Sequence, residues 1–158
     1  MSKNLKMFLY MLVSHMLITF INFLLLCLEL TLSDPPITEH FPGNLDIDMV
    51  IWMLIAISAV FTAFSYTAVG MKVQRTDNIV FNVAMVLLPS VFTCAGCVIM
   101  ELEAHAWQEL LAMFLDSLFG ILVLYLYDSA VKYVIAICPS ICMVIGYIIK
   151  LYKERKSK

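Results

Sequence analysis

The chain has 158 residues, 63% of them hydrophobic and only 14% charged, with a formal net charge of −2 and a mean hydropathy of +0.94. A soluble domain carries about 45–50% apolar and about 25% charged residues, so most of this surface belongs in lipid. The balance excludes a strongly basic nucleic-acid binder, and no glycine-rich phosphate loop is present to hold a nucleotide.

The composition predicts an all-α fold: a small polytopic transmembrane helical bundle of four to five segments, one integral membrane domain over 1–158 with no soluble domain. The first segment, 7–32, is too long for a core helix and contains no Lys or Arg. Its basic start, Lys3 and Lys6, fits a signal peptide, but the apolar run is far longer than an h-region and no small-x-small site follows Leu32, so a retained anchor is expected. His15, Thr19, Asn22 and Glu29 stand at offsets of four, seven and fourteen, which places them along one side of a helix. Lipid offers such groups no hydrogen bonds, so neighbouring helices are expected to cover that stripe. Glu29, near the segment's end, is expected to reach the headgroups.

Asp34-Pro35-Pro36 and Pro42-Gly43-Asn44 mark the first loop. The second segment, 49–71, opens with Trp52, an interfacial residue type, and a polar turn from Lys72 to Asn78 separates it from the third, 79–100. A fourth, 110–127, contains Asp116. The fifth, 133–149, runs into the basic tail 150–158. With five spans the Lys and Arg divide evenly: Lys3, Lys6, Lys72, Arg75 and Lys132 on one face, the five of the tail on the other. If one segment fails to cross, nearly all of them come to one side. Pro89 and Pro139 offer places for such a break, and the tail is expected in the cytoplasm, with the chain in the cell membrane.

Pro89-Ser90 with Gly96 and Pro139-Ser140 with Gly146 share one spacing, and Gly70 and Gly120 are offset by the same interval. A duplicated hairpin would set the polar turn 72–78 against apolar 122–128, so the likeness is read as chance. Ala59, Ala63 and Thr67, and Cys138, Cys142 and Gly146, recur every four positions and suit close backbone approach.

Asp116 is costly in lipid, by about 2.5–3.5 kcal/mol on insertion scales, so it is expected to face protein or water. His15, Thr19, Asn22 and Asp116 form the candidate intramembrane polar site, read either as a packing clamp or as a proton- or cation-handling group. Cys94-Ala95-Gly96-Cys97 has the dithiol spacing of redox proteins, yet no loop carries a second, shuttling pair, and an apolar setting disfavours the thiolate. His40 and His105 lack metal spacing with any cysteine, so no metal or other cofactor is expected.

The leading functional expectation is a non-catalytic multi-pass membrane protein, an accessory, regulatory or assembly subunit docking on a larger membrane protein. The alternative is a small transporter or channel, in homo-oligomeric form, lined by His15, Asn22 and Asp116. The third is a membrane thiol-disulfide oxidoreductase using Cys94 and Cys97. Lipid is a partner in every case and nucleic acid in none.

Overall fold

The computed structural model describes residues 2–32, 47–73, 78–101 and 135–157. These form four helices and no strand among the described residues: α1 (Lys3–Leu32), α2 (Ile47–Lys72), α3 (Ile79–Glu101) and α4 (Cys138–Lys156). Three stretches, Lys3–Leu28, Met49–Lys72 and Ile79–Ile99, are long and apolar enough to cross a membrane. The 110–127 segment, Asp116 within it, and the first loop lie outside the described residues.

Alternating helix directions explain the layout. The contacts of His15 with Tyr66 and of Asn22 with Ser58 set α1 and α2 antiparallel. Ser90 beside Ser140, with Ile79 and Leu151 lining one cavity, sets α3 and α4 antiparallel as well. The core between them holds Met7, Met11, Ile18, Tyr66, Val69, Met85 and Met143. Outward faces stay apolar: Val13, Leu17, Phe64, Val80 and Val91 are exposed, as lipid-facing residues should be.

The tightest approach is between α2 and α4. A Cβ on Gly70 would overlap the Met143 carbonyl, and one on Gly146 would overlap the carbonyl of Thr67. Backbone meets backbone at this crossing, which only residues without side chains permit. Of the two small-residue ridges expected from sequence, Thr67 and Gly146 do meet, whereas Ala63 is exposed on another face of α2.

The two prolines behave differently. Pro89 lies inside an unbroken α3. Near Pro139, residues 135–136 are helical, Ile137 is a single turn residue that keeps right-handed helical dihedrals (φ −82°, ψ −21°), and α4 runs from Cys138 with the proline in its first turn, where the missing N–H costs nothing. Of the expected fifth segment, 133–149, residues 133–134 lie outside the described residues, and its helix continues through the basic residues to Lys156.

Gly146→Ala and Gly70→Ala should each destabilise the bundle by about 1–3 kcal/mol, because the obstructing atoms are backbone and cannot rotate away. Ala63→Leu, on the exposed face of α2, should be near neutral. Thermal unfolding in detergent followed by circular dichroism reads all three, and a tolerated Gly146→Ala would show that the helices do not meet here.

Candidate functional site

Lipid leaves a helix's side-chain polar atoms nothing to bond but the protein itself, and α1's polar stripe meets a matching one on α2. Ser58, Thr62 and Tyr66 repeat every four residues, so they share a face, and all three are buried. His15 is 1% exposed, its Nδ1 2.7 Å from the Tyr66 hydroxyl. Phe92 of α3 covers the imidazole with ring centroids 5.2 Å apart. Seven residues on, Asn22 donates from Nδ2 to Thr62 Oγ1 at 2.9 Å and accepts at Oδ1 from Ser58 Oγ at 3.1 Å. Leu26 and Ile55 close the seam beyond it.

Thr19 is buried on the same face but does not join this network. Its hydroxyl donates to the Met16 carbonyl of its own helix at 2.9 Å. Of the four residues of the candidate site, His15 and Asn22 engage α2, Thr19 bonds back to α1, and Asp116 lies outside the described residues. His15 stands about 18 Å along the helix axis from Lys3, in the middle of the stretch Lys3–Leu28 that is long and apolar enough to cross a membrane.

A second polar cluster joins α3 to α4. The Ser140 N–H donates to Ser90 Oγ at 3.3 Å, the two hydroxyls lie 2.6 Å apart, and Ser140 Oγ donates to the Val86 carbonyl at 2.9 Å. The N-cap residue of α4, Ile137, makes no side-chain cap, so Ser90 supplies from α3 an acceptor that the helix start lacks. In return Ser140 reaches a carbonyl next to the one that Pro89 deprives of its N–H partner. The repeated Pro-Ser dipeptides are thus two halves of one contact.

Cys97 is buried and Cys94 half-buried on α3, and no disulfide joins any of the five cysteines, Cys27, Cys94, Cys97, Cys138 and Cys142. No group of three or more His, Cys, Asp or Glu that could hold a metal occurs among the described residues. Among the described residues, the polar contacts of this interior include hydrogen bonds between side chains of neighbouring helices.

Tyr66→Phe should remove the hydroxyl that His15 Nδ1 meets across the helix pair and lower stability, and His15→Ala should cost less when Tyr66 is already Phe. The coupling from that double-mutant cycle should be about 0.6–1.7 kcal/mol, the range of interhelical bonds in membranes. Zero coupling would mean that the pair does not form.

Compared with known proteins, the chain matches no protein-family model, no curated protein and no solved structure, which leaves the chemistry of these side chains as the ground for any functional reading.

Proposed function

We propose that this is a multi-pass protein of the cell membrane that catalyses no reaction and serves as an accessory, regulatory or assembly subunit on a larger membrane protein. The observation that carries the reading is the pairing of α1 with α2: the imidazole of His15 and the carboxamide of Asn22 are turned to hydroxyls of the neighbouring helix. Groups arranged in this way set packing. A permeation path would instead present them to water.

The same reading takes the even-span topology. Lys3 and Lys6 of α1, Lys72 of α2 and Lys150 of α4 line one cavity at one end of the bundle. That arrangement supports both termini on one side, and the positive-inside rule makes that side the cytoplasm. The outward face of α2, with Trp52, Met53, Ile57, Val60 and Phe64 exposed, is apolar enough for lipid or for a partner's helix.

Two measurements test these proposals. A cysteine at position 157, introduced by Ser157→Cys, should stay unlabelled by an impermeant thiol reagent on intact cells, relative to the parent chain. Labelling from outside would overturn the topology. Purified in mild detergent, the protein should bring down a stoichiometric larger membrane protein, and reconstituted alone it should carry no proton or cation flux. A clean homo-oligomer whose flux loses its pH dependence in Asp116→Asn would replace this reading with the transporter.

A further inference from the structure

The lysine-lined end of the bundle does more than report topology. We propose that the cavity between α1, α2 and α4 binds the phosphate of an anionic phospholipid headgroup.

The cavity measures about 470 Å³, and Lys3, Lys6, Lys72 and Lys150 stand around it with Met7 and Tyr10. Three helices bring these four cations together, and no carboxylate is among its described lining residues. Ammonium groups gathered in one concavity repel one another and raise the local concentration of an anion. Lys150 is held in place: its Nζ donates to the Val73 carbonyl at 2.8 Å, which uses one of three N–H donors. Glu154, one turn along the same face of α4, forms an exposed ion pair with it at 3.9 Å, so Lys150 brings less net charge to the cavity than Lys6 or Lys72.

The rest of the cavity decides between a lipid and a free anion. Met7 is buried at its apolar wall, and Tyr10 is partly exposed about 10 Å along α1 from Lys3. A tyrosine ring is of the amphipathic kind that sits at headgroup level. The lysine stems add further apolar surface beneath their charged heads. Soluble phosphate would gain nothing from this wall, whereas a phospholipid uses cations and wall together. Basic pockets between transmembrane helices suit anionic headgroups in this manner. The inference rests on the membrane reading above, with this end of the bundle at a bilayer surface.

The test uses the full-length protein in detergent, native mass spectrometry, and added phosphatidylglycerol or phosphatidylcholine. The protein should retain phosphatidylglycerol in preference. Lys6→Gln and Lys72→Gln should each lower that affinity about fivefold, and the pair together about 25-fold. Lys6→Arg with Lys72→Arg should restore it. Lys153→Gln with Lys156→Gln removes the same charge from the exposed tail of α4 and should change it less than about twofold. Equal retention of both lipids by the unaltered protein would overturn the proposal without reference to any variant. So would an equal loss from the tail substitutions, which would mean diffuse attraction, or displacement of the lipid by millimolar inorganic phosphate, which would mean a soluble-anion site. None of these failures touches the topology, which the Ser157→Cys labelling tests separately.

Discussion

Backbone-to-backbone contact at Gly70 and Gly146 is the constraint on which the other contacts of α4 depend. A helix that begins beside the middle of its neighbour and ends in charged residues has little of its own to hold it in an apolar bundle. Once the two glycines bring the axes of α2 and α4 together, both ends of α4 come within reach of partners. Ser140 meets Ser90 at one end, and Lys150 meets the Val73 carbonyl at the other. The second contact puts a cation at the C-terminus of α2, where the helix dipole is negative and the last carbonyls lack donors. A methyl group at either glycine would push all of these distances out together.

The α1–α2 seam works by a different kind of economy. Lipid tails are as apolar as leucine, so burial gives little drive for helices to associate, and hydrogen bonds and close packing must supply it. His15, Asn22, Ser58, Thr62 and Tyr66 answer one another over more than two turns. Sliding α1 by one residue would turn Asn22 off its two hydroxyls and move His15 away from Tyr66 at the same time. The seam therefore has one register, and the cost of the others is the unmet polar group.

The fold class was legible because hydropathy and length alone separate a lipid-facing helix from a core helix; α1, α2 and α3 fall within a few residues of the expected segments. The α1 stripe was legible because its offsets follow helical periodicity. Its partner on α2 was not. Ser58, Thr62 and Tyr66 have the same spacing, but a hydroxyl in an apolar helix can bond its own preceding turn, as Thr31, Thr67 and Thr93 do, so spacing does not say which hydroxyls look outward to a neighbour. The adjacent small residues Ala59 and Ala63 gave an equally regular and misleading signal. The two Pro-Ser dipeptides were visible as a repeat, yet their meaning is mutual contact, which no one-dimensional comparison contains. Asp116 lies outside the described residues, and so does its part in the candidate site.

The borrowed acceptor at the start of α4 has a consequence for how the chain is assembled during synthesis. A translocon sorts each emerging segment by its own hydrophobicity, and α4, with a proline in its first turn and a run of Lys and Arg in its last, is a poor candidate for independent insertion. Among the described residues, its first-turn N–H at Ser140 finds its acceptor on α3, and its closest packing surface is on α2. Among the described helices, α4 is thus tied to both members of the α2–α3 pair, through a hydrogen bond to one and close backbone packing on the other.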